Sequence, residues 1–173
     1  MTDIDLASLV RNIPDFPLPG TQFKDITTLI GHGPAFSKVI DTLAARYQHT
    51  PIDAVVGVES RGFIFSAPLA LRLGVGLVPV RKPGKLPAET YQVEYELEYG
   101  TNTLEIHRDA LTPGSRVVLV DDLLATGGTV GAASRLIELA GGQVVELAFV
   151  IELTFLGGRE KLAGYPIYSL IQY

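Results

Sequence analysis

Residues 117–129 read VVLVDDLLATGGT: four apolar residues, two adjacent carboxylates, then a Thr-Gly-Gly-Thr turn. Such a segment reads as a buried strand ending in Asp121 and Asp122, followed by a short loop that opens a helix. The backbone N–H groups of Ala125, Thr126, Gly127, Gly128 and Thr129 would then face a phosphate at the helix start. Glycine lets the chain approach that phosphate closely, and the two threonine hydroxyls add neutral donors. Two carboxylates at the carboxyl end of a strand can accept hydrogen bonds from neighbouring sugar hydroxyls. Carboxylates beside a phosphate also repel it, which favours a ligand that brings hydroxyls or a divalent cation. Against this stands a plainer reading, in which the acids merely follow a strand and the glycines merely start a helix.

Other chemistry-bearing residues lie outside this segment. Glu59-Ser60-Arg61-Gly62 follows an apolar run, and a guanidinium there carries a permanent charge on a planar fork suited to a multiply charged anion. Arg81, Lys82 and Lys85 place three cations within five residues of a chain with 14 Lys and Arg against 19 Asp and Glu, a formal charge of −5. They can neutralise a diphosphate, although a solvated basic loop has the same composition. Phe23 offers a face on which a flat base can stack, or else plugs a core. Glu98, by periodicity alone, is the last outward acid of a hairpin. His32, His49 and His107 are too scattered for a zinc site, and the absence of cysteine excludes thiol chemistry and disulfides. Neither GxxxxGK[ST] nor a GxGxxG after a strand occurs, which disfavours a P-loop NTPase and a dinucleotide-binding dehydrogenase.

The elements that must position these groups alternate. Residues 2–13 have Thr2 as a cap and Leu6, Leu9, Val10 and Ile13 on one face, which predicts a short amphipathic helix. IPDFPLPG ends it, and the following TQFKD reads as loop. Pro34 with Phe36, Val39, Ile40, Leu43 and Tyr47 predicts a helix to about 48. Strand 53–58, helix 62–74 and strand 75–80 predict one parallel pair. Strand 116–120, helix 128–140 and strand 143–151 predict another. Between them Tyr91, Val93, Tyr95 and Leu97 alternate with polar residues before Tyr99-Gly100, an antiparallel hairpin with one wet face. RKPGKLPAET, 81–90, is long and polar for a connection and reads as a functional loop. With 173 residues, 47% of them hydrophobic, and no repeat or composition shift, one domain is expected.

VVLVDDLLATGGT resembles the phosphoribosyl diphosphate (PRPP) signature of the type I phosphoribosyltransferases. FPLPGTQFKDI (16–26), ESRGF (59–63), RKPGKLP (81–87), LEYG (97–100) and the ending YSLIQY resemble the adenine branch of that family, so the likeness spans nearly the whole chain. It implies a Rossmann-like α/β fold: a mainly parallel sheet flanked by helices, with an N-terminal hood over residues 1–33 and a mobile hairpin loop over 81–107. The implied activity joins adenine and PRPP to give AMP and diphosphate, with Mg2+ held mainly through substrate and water. By the same resemblance Ala125–Thr129 hold the sugar's terminal phosphate and Asp121 and Asp122 meet the ribose hydroxyls. Ser60, Arg61, Arg81, Lys82 and Lys85 meet the diphosphate, and Gln22, Phe23 and Leu123 the adenine. Glu98, with Arg61, is implied as catalytic, acting as general acid/base at the base's imidazole nitrogen, while Tyr99 covers the site. A non-proline cis peptide is implied at Glu59-Ser60, and a homodimer in which some loop cations serve the neighbouring subunit. Lys24 stands where the family commonly has arginine, keeping the charge but losing the fork.

Two rivals stay open at this stage. One is a phosphoribosyltransferase for another base, since stacking and phosphate contacts are shared among purines. The other is an idle PRPP sensor that regulates transcription. An acidic chain with no helix-turn-helix ahead of the domain is not expected to bind nucleic acid. The first residues lack a basic leader, and no apolar run approaches ~18 residues, so no membrane association and a cytoplasmic location are expected.

Overall fold

The computed structural model describes residues 4–96 and 100–173. It divides between Thr42 and Leu43 into two compact units. The expected cap Thr2 lies outside the described residues, as do Leu97, Glu98 and Tyr99.

In the first unit the predicted helix over 2–13 does not form. A single 3-10 turn, Ala7–Leu9, is opened by the Asp5 carboxylate accepting from the Ala7 N–H at 3.1 Å, and the chain then extends as β1, Arg11–Pro14. β1 pairs antiparallel with β2, Gln22–Asp25, so Phe23 sits on a strand rather than in a loop. A helix of a dozen residues is marginal alone, whereas the strand gains a ladder and the Arg11–Asp25 ion pair at 2.6 Å. The Thr27 N–H, followed by Arg11, lowers Asp25 to about 2. A short helix, α1 (Thr27–Ile30), precedes α2 (Gly33–Tyr47), which crosses the unit boundary. Val39, Ile40, Leu43 and Tyr47 are buried on α2 at helical spacing, as their pattern predicts.

The second unit is built on a five-stranded parallel sheet in the order β4-β3-β7-β8-β9. β3 (Ala54–Val58) leads through α3 (Gly62–Leu73) to β4 (Gly76–Val80), and the two strands are parallel. β7 (Arg116–Leu124) leads through α4 (Gly128–Leu139) to β8 (Gln143–Glu152), again parallel. A 3-10 turn at Thr154–Leu156 and the short helix α5 (Gly158–Lys161) then return the chain to β9 (Ile167–Gln172). All five residues of β3 are buried, which explains their unbroken apolar run: a parallel strand covered on both faces has no wet side to alternate with. β7 runs through the two carboxylates expected at its end and two residues further, to Leu124. β8 extends to Glu152 and offers partners, so Asp121 pairs with Phe149 and Leu124 with Glu152. Gly57 lets α3 lie directly on β3, since a Cβ there would stand 2.1 Å from Ser66 Oγ.

The hairpin forms as expected from β5 (Thr90–Glu96) and β6 (Thr101–His107). Tyr91, Val93 and Tyr95 pack on the core of Val58, Leu104, Ile106, Leu119, Leu136 and Phe149, while Gln92, Glu94 and Glu96 face outward. The 81–90 segment is fastened at its start by a backbone bridge between Arg81 and Glu105 (3.0 and 2.7 Å) and by the Gly84 N–H donating to the buried Glu105 carboxylate at 3.2 Å. No helix among the described residues is long and apolar enough to cross a membrane.

Candidate active site

In this sheet the chain runs outward from β3 to β4 on one side, and from β7 through β8 to β9 on the other. The direction reverses between β3 and β7, so the segments leaving their carboxyl ends diverge and leave a crevice. A cavity of about 410 Å³ fills that position. Of the residues singled out in the sequence, Ser60, Arg61, Lys82, Asp121, Asp122, Leu123, Ala125, Thr126, Gly127, Gly128 and Thr129 line it, joined by Glu59, Leu124 and Val130.

One wall is the loop from the end of β7 into α4. Gly127, at φ +84°, turns the chain into the helix, where an L side chain would be strained. The first N–H groups of a helix have no carbonyl within the helix to bind, and here they belong to the cavity lining. The loop rests on the start of α5. A Cβ on Gly127 would lie 2.8 Å from the Gly158 carbonyl oxygen, and one on Gly158 would lie 2.3 Å from that of Ala125. From the hairpin, the Tyr95 hydroxyl accepts from Thr129 Oγ1 at 3.3 Å.

The opposite wall is the turn after β3, where the Glu59-Ser60 peptide bond is cis. Arg61 donates through Nε to the buried Asp122 carboxylate. The Asp122 N–H in turn donates to Asp121 Oδ1 at 2.8 Å. Gly62 brings α3 against β7, for a Cβ there would stand 3.0 Å from both Asp121 Oδ1 and the Val120 carbonyl. Burial, then the neighbouring Asp122 charge, pushes Asp121 well above the usual carboxylate range. Glu59 shifts the other way: the Lys82 N–H at 3.0 Å and the Arg81 guanidinium at 3.2 and 3.3 Å hold it below its ordinary value.

Arg81 and Lys85 are not among the lining residues. Arg81 divides its guanidinium between the Glu59 carboxylate and the Lys85 carbonyl, the latter at 3.2 Å. Gln22 and Phe23 belong to the first unit. There the Phe23 ring meets the edge of Phe16 with centroids 5.1 Å apart, and the Gln22 side-chain carbonyl accepts from Asn12 Nδ2 at 2.6 Å. Glu98 and Tyr99 lie outside the described residues. Sequence reasoning missed Gly158 and Tyr95. Nothing in a Gly-Gly pair thirty residues downstream signals contact with the TGGT loop, whereas the outward-inward alternation of the hairpin already placed Tyr95 on the packed face.

Residues 27–164 match the phosphoribosyl transferase domain family. The chain is 76% identical, over 173 residues and the full length of both chains, to the adenine phosphoribosyltransferase of Chloroflexus aurantiacus. It is similar to the crystal structure of adenine phosphoribosyltransferase from Thermoanaerobacter pseudethanolicus, with 56% identity, a TM-score of 0.94, and 97% and 98% of the two chains covered. It is similar too to the Saccharomyces cerevisiae enzyme crystallised with adenine and D-2,5-dideoxy-2,5-imino-altritol 1,6-bisphosphate, with 43% identity, a TM-score of 0.90, and 95% and 96% covered. A phosphate-type loop, a carboxylate pair and an arginine converging on one crevice thus coincide with full-length similarity, and the chain belongs to the adenine phosphoribosyltransferases of the phosphoribosyltransferase family.

Proposed function

We propose that the crevice between β3 and β7 binds PRPP along its length and that displacement by adenine at the anomeric carbon yields AMP and diphosphate. The observation carrying this reading is the spacing of three chemistries on one cavity: the Ala125–Thr129 loop, the Asp121–Asp122 pair, and the Ser60–Arg61 turn with Lys82. The loop binds the terminal phosphate through helix-start amides. Asp121 and Asp122 accept from the ribose hydroxyls, and Arg61 and Lys82 face the diphosphate. The yeast relative's two ligands, a base and an imino-sugar bisphosphate, support the same division.

As the bond to diphosphate breaks ahead of attack, negative charge gathers on the leaving group, where Arg61 and Lys82 stabilise it. Arg61 must then divide its fork between Asp122 and the diphosphate, so filling the site loosens an ion pair that holds the ribose acids in place. We assign Glu98 as the acid/base at the purine, Tyr99 as cover, Leu123 as the base contact on the cavity, and Gln22 and Phe23 as adenine contacts on the resemblance of their segment. Arg81 is better read as the residue that seats Glu59 and the loop carrying Lys82, and Lys85 as a more distant diphosphate cation.

Among the described residues no group of three or more acids or histidines could cage a metal. The hard oxygens of Asp121 and Asp122 nevertheless suit Mg2+ held largely through substrate and water. When bound, that ion supplies positive charge to the diphosphate oxygens. We further assign a homodimer, on the family resemblance, and a cytoplasmic location. The test is AMP and diphosphate formation by purified protein with Mg2+, PRPP and, in separate tubes, adenine, hypoxanthine or guanine. AMP from adenine alone is expected. Turnover with another base alone would overturn the adenine contacts, and PRPP binding without turnover would favour the sensor.

A further inference from the structure

Two buried carboxylates on β8, six residues apart, are gripped by arginine forks in nearly the same way. Glu146 accepts from Arg46 Nε and Nη2 at 2.6 Å each, and from the Tyr47 hydroxyl at 2.6 Å. Glu152 accepts from Arg159 Nε and Nη2 at 2.6 and 2.7 Å, from Ser169 Oγ at 2.6 Å and from Gln172 Nε2 at 3.3 Å. Each glutamate side chain is less than a tenth exposed, and each arginine about two-fifths. Their surroundings differ. Arg46 stacks over Tyr168, with 4.0 Å from its Cζ to the ring centroid. Arg159 sits next to Gly158, the residue on which the phosphate loop rests, and Glu152 is the register partner of Leu124, the last residue of β7 before that loop.

We propose that the Arg159–Glu152 pair is a positioning clamp for the phosphate loop, fixing the loop's distance from the cavity through Gly158 and so setting affinity for the phosphate end of PRPP. This rests on the assignment of Ala125–Thr129 to that phosphate. The chain of contacts is short. Glu152 is fixed by β8 and β9, Arg159 joins it to α5 and also donates to the Ile167 carbonyl at 3.2 Å, and Gly158 meets the loop backbone. Leu162 completes the seat, for a Cβ on Gly127 would stand 3.3 Å from its Cγ. A phosphate bound by several backbone amides depends steeply on their placement, and misplacement by about 1 Å can cost on the order of a hundredfold.

The two arginines make a matched test. Arg159→Lys and Arg46→Lys each keep a charge on a buried glutamate and lose a fork. We expect Arg159→Lys to raise the Kd for ribose 5-phosphate and the KM for PRPP about tenfold or more, with the Kd for diphosphate and the KM for adenine unchanged. Arg46→Lys should leave all four constants alone while lowering Tm comparably. Gly158→Ala, which drives a methyl into the Ala125 carbonyl, should reproduce the ribose 5-phosphate defect without touching either ion pair. Unchanged ribose 5-phosphate affinity in Arg159→Lys overturns the clamp, as does an equal loss in Arg46→Lys. Gly127→Ala separates the underlying assignment, because it strains the left-handed turn of the loop backbone itself: if it too leaves ribose 5-phosphate binding intact, the loop does not hold the phosphate and the clamp fails with it.

Discussion

Gly127, which caps α4, and Gly131, inside its first turn, should respond in opposite senses to the same added methyl. At Gly127 the backbone is left-handed, φ +84°, which costs an L-residue about 1–2 kcal/mol. The new Cβ would also stand 2.8 Å from a backbone carbonyl, that of Gly158, so the loop must move. At Gly131 the nearest atom is Leu162 Cδ2 at 3.6 Å, an ordinary contact inside a helix, and alanine there gains about 1 kcal/mol. In a chain of this length each kcal/mol moves Tm by roughly 2–4 °C. Gly127→Ala should therefore lower Tm by about 2–8 °C and Gly131→Ala raise it by about 2–4 °C. Displacing the loop forfeits one amide contact to a charged phosphate, worth about 1.5–3 kcal/mol. The KM for PRPP in Gly127→Ala should rise roughly ten- to a hundredfold, with that for adenine little changed. Scanning calorimetry and steady-state kinetics with PRPP varied read both. Wild-type PRPP affinity in Gly127→Ala, whatever its Tm, would mean that the phosphate does not sit on this backbone.

Other expectations follow from individual side chains. An aspartate whose folded value is raised binds protons more readily folded than unfolded, so its effect on stability is unfavourable above its unfolded value and grows as pH rises through the folded one. Asp121→Asn should accordingly raise Tm near neutral pH and flatten the fall in stability with rising pH, while weakening PRPP binding; calorimetric titration showing unchanged affinity would remove its ribose role. Glu98→Ala should lower kcat with PRPP affinity nearly intact, and an equal loss of both would refute its assignment as acid/base. Gly57→Ala should destabilise by about 1–3 kcal/mol, since a methyl 2.1 Å from Ser66 Oγ and 2.9 Å from Ser66 Cβ must push α3 off the sheet. An unchanged Tm would show that the helix yields more easily than its contacts imply.

The parts of the fold legible in the sequence were those determined by neighbours along the chain. The unbroken apolar runs of β3 and β7, and the alternation of β5, report burial on two faces and on one, and each became the strand expected. Residues 2–13 carry a helical pattern, but Arg11–Pro14 pairs with Gln22–Asp25 across a proline-rich turn, and that ladder outcompetes a short isolated helix. The extension of β7 past Asp122 to Leu124 was hidden for a similar reason, because a strand continues as far as its neighbour offers partners. Gly158 left no local trace. Its role follows from a distance of 2.3 Å between its absent side chain and a carbonyl thirty-three positions earlier.

Charge shows the same limit from the other side. The sequence presents two adjacent carboxylates next to a proposed phosphate loop in a chain of formal charge −5, which by count alone would repel any anion that brings neither hydroxyls nor a divalent cation. In the folded site that count no longer applies. Asp122 is paired with Arg61, burial and Asp122 together favour the protonated form of Asp121, and Glu59 is held by Arg81 and the Lys82 amide. Lys82 lines the cavity, and the amides opening α4 add partial positive charge at its far end. What decides whether an anion enters is the charge left after this pairing, and the pairs that cancel the acids are contributed by segments 22 to 61 residues apart in sequence.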